Sequence, residues 1–288
     1  ANSSKVVKLD DEGLITSYQL YSSGIQILAS VGEAYGTLFG TSYVRDANGN
    51  VVVDANGLPK ISTTNKTLGK FTPDWTGGIS NTFSYRSLSL SFLIDASVGG
   101  SIFSNTNKTG KYTGVLANTL SGRDAEHGGL WYYTAAMGNN VRLPESPSYS
   151  VSSDGLYYAQ VNGQSTRVYQ DGIMVEGVTE SGSKNEEVVS AEKYYHRIYS
   201  IAEANVYDAS YVKLREVALS YRLPRLWTQK LHLQEASVTL TGRNLWTIYK
   251  SVPNIDPESA LTTGNAQGVE AYSLPTTRSF GVNLSVKF

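Results

Sequence analysis

Strict alternation of apolar and polar residues constrains this chain more than any other feature. Residues 276–288 read TTRSFGVNLSVKF. Phe280, Val282, Leu284, Val286 and Phe288 fall on one side of an extended backbone, and Ser279, Gly281, Asn283, Ser285 and Lys287 on the other, because successive strand side chains point to opposite faces. Residues 88–99 repeat the pattern: Leu88, Leu90, Phe92, Ile94, Ala96 and Val98 oppose Ser89, Ser91, Asp95, Ser97 and Gly99, with Leu93 the single intruder. Residues 236–243 set Ala236, Val238, Leu240 and Gly242 against Ser237, Thr239, Thr241 and Arg243. Further strands are expected over 75–86, 211–223 and 34–46. In 211–223, Lys213 and Arg215 share a face with Val217, Leu219 and Tyr221, so either the strand leaves its apolar environment there or a bulge switches its register. The chain is therefore expected to be all-β and antiparallel. No long helix is expected, although RLWTQKLHL (225–233), after Pro224, reads as a short helical turn.

The connections alternate short and long. Tyr85-Arg86-Ser87-Leu88 is a tight turn, whereas 249–275 reads as a long loop and 100–209 as a very long polar stretch. A structureless stretch of that size is abnormal in a compact soluble domain. Short turns at one end and long loops at the other are the habit of outer-membrane barrels. With Phe288 at the periplasmic edge, the tight turn at 85–88 and the short connection between the 211–223 and 236–248 strands fall on that side and both long loops lie outside. The polar faces, mostly Ser, Thr, Gly and Asn, suit a wet lumen, and the apolar faces suit lipid. Trp75, Tyr85, Tyr211, Tyr221, Trp246 and Tyr249, near strand ends, would form interfacial girdles. A soluble β-sandwich whose aromatics pack a core remains the alternative.

Composition narrows the function. Of 288 residues, 24 are Lys or Arg and 25 Asp or Glu, for a net charge of −1. Charged residues are 17%, below the roughly 25% of soluble domains. Without a basic cluster to meet phosphates, no nucleic-acid partner is expected. The absence of cysteine removes disulfides, thiolate zinc sites and cysteine nucleophiles. No apolar run reaches the roughly 18 residues a spanning helix needs, and ANSSKVVKLDDEG at the start has no apolar h-region, so no signal peptide is expected in this sequence. A soluble protein and a β-barrel both survive these tests.

Several segments resemble the SusC/RagA family of TonB-dependent outer-membrane transporters. VGEAYGTLFGTSYVRDANGN (31–50) resembles that family's G-E-P-Y-G segment, with Ala34 in place of proline. LGKFTPDWTGGISNTFSYRSLSLSF (68–92) resembles its L-G-N-P-x-P-x-W-x-G-G run, with Lys70-Phe71-Thr72 replacing Asn-Pro-Thr and Arg86 replacing lysine. DASYVKLREVALSYRLP (208–224) and TGRNLWTIYK (241–250) are similar to its paired late strands. The resemblance implies an antiparallel transmembrane β-barrel, with residues 1–288 as the C-terminal part of a 22-strand wall. Such a wall needs about 10 residues per strand, and this chain supplies about seven to nine strands. It further implies import of oligosaccharides or peptides beneath a SusD-like surface lipoprotein, in the outer membrane of a Bacteroidetes-type Gram-negative cell. Energy would come from TonB-ExbB-ExbD through an N-terminal part and plug domain, neither of which residues 1–30 resemble. The strand ending in Phe288, with Phe280, Val282, Leu284 and Val286, resembles the signal read by barrel-assembly machinery. The reading from another class is a self-contained small β-barrel or sandwich serving as a structural or adhesive surface protein.

Sites of bond chemistry are not expected. The histidines His127, His196 and His232 lack metal-ligand spacing, and no G-x-S-x-G elbow occurs. No cofactor is expected, and no enzyme. Asp46, Asn48 and Asn50 look like the start of a calcium loop, but Gly57 stands where its acidic twelfth ligand belongs, and Asn-Gly pairs also make hairpin turns. The loop SGRDAEHGGLWYYTAAMG (121–138) offers Trp131, Tyr132 and Tyr133 for stacking on a ligand, with Arg123, Asp124, Glu126 and His127 for hydrogen bonds; the alternative is that they pack the loop onto its neighbours. Asp95 and Arg243 are expected to face the lumen, toward plug or substrate.

Overall fold

The computed structural model describes residues 3–230 and 232–288. Its dominant element is a five-stranded antiparallel sheet, here called the wall. Its strands lie in chain order: Trp75–Tyr85, Leu88–Val98, Tyr211–Arg222, Glu235–Lys250 and Ser279–Lys287. Registry turns the sequence alternation into rows across the sheet. Phe83, Leu90, Leu219, Leu240 and Val282 form one apolar row, and Tyr85, Leu88, Tyr221, Val238 and Leu284 the next. Between them runs a polar row of Ser84, Ser89, Ser220, Thr239 and Asn283. Hydroxyls in that row bond across strands, Ser84 to Ser89 at 2.9 Å and Ser220 to Thr239 at 2.7 Å.

The apolar face is exposed, and on the outer strands Trp75–Tyr85 and Ser279–Lys287 the polar face is largely exposed as well, whereas on the three inner strands it is partly covered. Phe280, Val282 and Leu284 are 80%, 74% and 65% exposed, and Ile79, Phe83, Leu240 and Trp246 are exposed with them. An apolar surface of this extent is a contact surface rather than a solvated one. Among the described residues the wall is open at both edges, Trp75–Tyr85 and Ser279–Lys287.

The 211–223 ambiguity resolves as a bulge. Leu214 stands opposite Ile94 and Glu216 opposite Leu93, so Arg215 is an extra residue with no partner of its own. The bulge keeps Leu214 beside Ile94 and Trp246 and turns Lys213 toward Asp95 on the polar face. The facing strand is irregular at the same level, where Asn244 takes φ 52. The tight turn at Tyr85-Arg86-Ser87-Leu88 is present, with Arg86 at φ 54. The expected helical turn over 225–233 is present as Arg225–Lys230, and Leu231 lies outside the described residues.

The long connections are folded, contrary to their reading as loops. Within 100–209 lie helices α1 (Asn105–Thr113) and α2 (Ala191–Tyr199), followed later by α3 (Arg225–Lys230). A six-stranded sheet also forms there, from 130–134, 140–142, 149–151, 157–161, 164–173 and 189–190. Helix α1, NTNKTGKYT, has no apolar periodicity to announce it. It is held instead by its ends: the Ser104 hydroxyl accepts from the Asn107 N–H, and Gly114 closes it at φ 70. The Glu270 carboxylate, fully buried, accepts from the Ser104 and Thr106 hydroxyls at 2.6 and 2.5 Å. That carboxylate comes from the 249–275 segment, which therefore folds back across the molecule. Val269–Glu270 pairs in parallel with Phe103–Ser104, and Val252 and Ile255 pack on Ile102.

The expected strand over 34–46 is shorter than read. Thr37–Gly40 is its regular part, in a four-stranded sheet with Ser17–Ser22, Gln26–Ser30 and Lys66–Lys70, while Tyr43 and Arg45 form single bridges. Ile25, Ile27, Leu38, Phe103, Ala202 and Val269 form the core joining this sheet to the folded connections.

Candidate functional site

The polar face of the wall carries a buried ion network. Lys213, its side chain 3% exposed, donates to Asp256 at 2.5 Å and Glu258 at 2.6 Å. Arg215 donates to Asp95 through Nε at 2.9 Å and Nη2 at 2.7 Å, and its Nη1 reaches Glu258 at 2.7 Å. The Tyr211 hydroxyl donates to Glu258 at 2.9 Å. Two cations on one strand thus grip two carboxylates on the folded-back segment. Burial pushes the Asp256 carboxyl up, but hydrogen bonds from Lys213 and Thr276 outweigh it and hold the group down at about 2. Glu258 is lowered in the same way, with burial overcome by Arg215 and Lys213. Asp95 is thus a member of this network. Arg243 is not: it donates to Glu216 at 2.9 Å, and both side chains are largely solvated.

A second site lies in the folded connections. Helices α1 and α2, together with 118–130 and 172–176, line an open cleft of about 720 Å³ whose lining includes Tyr43, Lys111, Glu176, Tyr194 and Tyr195. A neighbouring cavity of about 400 Å³ shares Lys111 and Tyr195 and adds Arg123, Asp171, Glu192 and His196. The Tyr195 hydroxyl lies 3.0 Å from the carbonyls of Asn118 and Ser121, tying α2 to the loop. Burial pushes the Lys111 ammonium down to about 8. It also raises the phenols of Tyr43, Tyr194 and Tyr195, which stay neutral donors.

Two of the three aromatics in 131–133 are buried. Trp131 and Tyr132 are 7% and 4% exposed. Trp131 stacks on Tyr149 at 5.0 Å and meets Tyr157 edge-on at 5.8 Å, in a core with Ala159 and Val168 that Tyr133 flanks. Tyr132 stacks on Tyr169 at 5.0 Å and donates to Asp171 at 3.2 Å. Trp131 and Tyr132 thus stack within the six-stranded sheet rather than offering free faces, while Tyr133 is half-buried beside it. Arg123 pins the loop, donating to the Gly114 carbonyl at 2.6 Å and the Thr119 hydroxyl at 3.0 Å. Asp124 accepts from the His127 ring at 2.7 Å and its N–H at 2.9 Å, and this bonding holds its carboxyl below the usual range. Of the residues expected to contact a ligand from this loop, only Arg123 lines either cavity.

Asp46 closes a hairpin turn on itself. Its oxygens accept from the N–H groups of Asn48 and Asn50 at 2.9 and 2.8 Å and from the Asn50 amide at 3.0 Å. Among the described residues no cluster of His, Cys, Asp and Glu is arranged to hold a metal. Phe280, Val282, Leu284 and Val286 lie on the apolar face of the last strand and Phe288 at its end, and both faces of that strand are exposed.

Sequence reasoning did not single out Lys111, Tyr194 and Tyr195, which sit in polar helices with no recognisable motif. Lys213 and Arg215 were flagged by their misfit in an apolar strand, but their carboxylate partners were not.

No protein-family model matches the chain. The chain is 25% identical over 286 residues to TonB-dependent receptor P3 of Formosa agariphila, a match spanning 97% of this chain and 22% of that protein. Two solved structures of RagAB share its fold. The RagAB peptide transporter matches with a TM-score of 0.51 and 16% identity, over 98% of this chain and 25% of that one. The RagAB peptide importer in its open-open state matches with a TM-score of 0.50 and 17% identity, over 99% and 25%. The chain thus spans about a quarter of the length of the proteins it matches. The likeness to SusC/RagA-like TonB-dependent transporters extends over nearly all of it, and these relatives are a receptor and importers, not enzymes.

Proposed function

We propose that residues 1–288 are the C-terminal portion of the β-barrel of a SusC/RagA-like TonB-dependent transporter, which imports an oligosaccharide or peptide across the outer membrane. The observation that carries this reading is the orientation of the wall. Its apolar face is exposed, from Phe83 through Leu240 to Phe280 and Val282, and its polar face holds the buried Lys213 and the half-buried Arg215 with their carboxylates. A soluble sheet has these reversed. The strands are also long enough to span: they run to 11, 11, 12, 16 and 9 residues, against the 9–11 or so that cross a bilayer when tilted.

In this reading the turn at Arg86-Ser87 is periplasmic, and the folded connections stand outside as a substrate-facing region. The open edges of the wall continue into the remaining strands of a 22-strand barrel, whose lumen holds a plug domain. A SusD-like lipoprotein covers the outer face, TonB-ExbB-ExbD supplies energy from the periplasm, and the strand ending in Phe288 is read during assembly. No bond chemistry or cofactor enters. The small self-contained barrel draws no support from a wall that leaves both edges open.

Residue-level labelling tests the orientation. The chain has no cysteine, so single cysteines at Val282 and Asn283 can be placed in the full-length transporter after removal of any others. A spin label at 282 is expected to be reached by a lipid-soluble relaxant and one at 283 by a water-soluble relaxant. Equal aqueous access at both positions would sink the barrel reading. Uptake of labelled oligosaccharide or peptide that survives deletion of TonB would sink the energy coupling.

A further inference from the structure

We propose that the cleft between α1 and α2 is a binding site for a carboxylate, anchored by the Lys111 ammonium and walled by the phenols of Tyr43, Tyr194 and Tyr195. As a binding site it stands on its own; as a site for cargo it rests on the import reading above.

The observation behind it is an ammonium without a counter-charge. Lys111 is 8% exposed. Its Nζ donates to the Ala204 carbonyl at 2.7 Å and the Asn205 side-chain oxygen at 3.3 Å, and lies 5.3 Å from the centre of the Tyr207 ring. All of these partners are neutral, and among the described residues no ion pair includes it. Lys213, similarly buried, meets two carboxylates. Taking an ammonium out of water is strongly unfavourable unless an anion compensates it. A neutral amide side chain would tie α1 to Ala204 without that penalty, so the charge itself needs a purpose.

Position supplies one. Lys111 stands where the two cavities meet, since it lines both, as Tyr195 does. Arg123, lining the smaller cavity, likewise bonds only neutral oxygens, those of Gly114 and Thr119. The acids nearby do not quench these cations. Asp171 is raised by burial and accepts from Tyr132, and neither Glu176 nor Glu192 forms an ion pair. The larger cavity, about 720 Å³, falls within the roughly 300–1,000 Å³ of small-ligand sites. Phenols offer flat apolar area, which suits a short oligomer whose one fixed point is an anion. The carboxylate can be a peptide's C-terminus or a uronic acid; the recognition is the same.

Calorimetry on the purified full-length protein with two matched pairs separates these sources: tetra-alanine against its C-terminal amide, and tetragalacturonate against its methyl ester. At least one acid is expected to bind, with its neutral counterpart at least tenfold weaker. Lys111→Met is expected to lose the same factor, and Lys111→Arg to keep most of the binding. If Lys111→Met does not fold, the acid-to-neutral ratio on the wild type and the Arg variant decide. The proposal is overturned if neither acid binds, if acid and neutral forms bind alike, or if Lys111→Met binds the acid as the wild type does. Uptake measured alongside keeps the two readings apart. Binding at Lys111 without import removes the import reading alone, and import of a neutral cargo without acid binding removes this site alone.

Discussion

Replacing Lys213 with methionine is expected to release the folded-back segment 251–276 from the wall while leaving the wall's own ladder intact. The side chain is 3% exposed, and it is the shared partner of Asp256 at 2.5 Å and Glu258 at 2.6 Å. Glu258 keeps Arg215 and Tyr211 after the change, whereas Asp256, 7% exposed, keeps only Thr276 and the Glu258 N–H. Breaking a buried pair by removing one partner costs about 3–5 kcal/mol, because the other charge is stranded. That is roughly a 10²- to 10³-fold or larger rise in the open population of the segment. Arg243→Met serves as the control, since its partner Glu216 and its own side chain are solvated, and such pairs contribute about 0–1 kcal/mol. Hydrogen exchange on the full-length protein in detergent reads both variants. Protection at Val252, Ile255 and Val269 should fall by two decades or more in the Lys213 variant and by less than one in the control. Equal losses in the two variants would falsify the claim that burial, not mere pairing, gives this network its strength. The double change Lys213→Met with Asp256→Leu should recover much of the loss, since no charge of that pair is then left stranded.

Three further outcomes follow from the same geometry. Val282→Arg on the exposed apolar row should cost about 2–4 kcal/mol at mid-membrane depth and lower the yield of heat-modifiable barrel, whereas Asn283→Arg on the opposite face should assemble normally; similar yields would contradict the lipid-facing assignment. Trp131→Ala should destabilise the six-stranded sheet by about 3–5 kcal/mol, seen as faster proteolysis between residues 130 and 170, and a variant with wild-type protection and lost ligand binding would restore the stacking role denied to it here. The Asp256 carboxyl is lowered from its ordinary 3.8 to about 2, so its contribution is complete above about 4 and disappears as pH falls through about 2. The exchange difference between wild type and Asp256→Asn should therefore persist at pH 5, narrow progressively below about pH 4 and vanish near pH 2; a difference already lost at pH 5 would contradict the lowered value.

The wall strands were legible because their alternation is local. Phe280 to Phe288 and Leu88 to Val98 state their faces residue by residue, and the register found across the sheet agrees with the pattern to the row. The misfit of Lys213 and Arg215 announced the bulge. What stayed hidden depended on residues far apart in sequence. Helix α1 has no apolar stripe, and its start is held by Glu270 from beyond the wall's fourth strand. The triplet Trp131-Tyr132-Tyr133 has the composition of a ligand platform and of a packed core alike, and only its neighbours Tyr149, Tyr157 and Tyr169 distinguish them.

By itself, then, the sequence determined an antiparallel wall with one apolar and one polar face, since period-two alternation follows from strand geometry at each residue. Tertiary structure alone decided that 100–209 and 249–275 are folded, and that Lys213 meets two carboxylates while Lys111 meets none. Burial and charge compensation are properties of what surrounds a side chain, and here those surroundings come from segments tens to more than a hundred residues away.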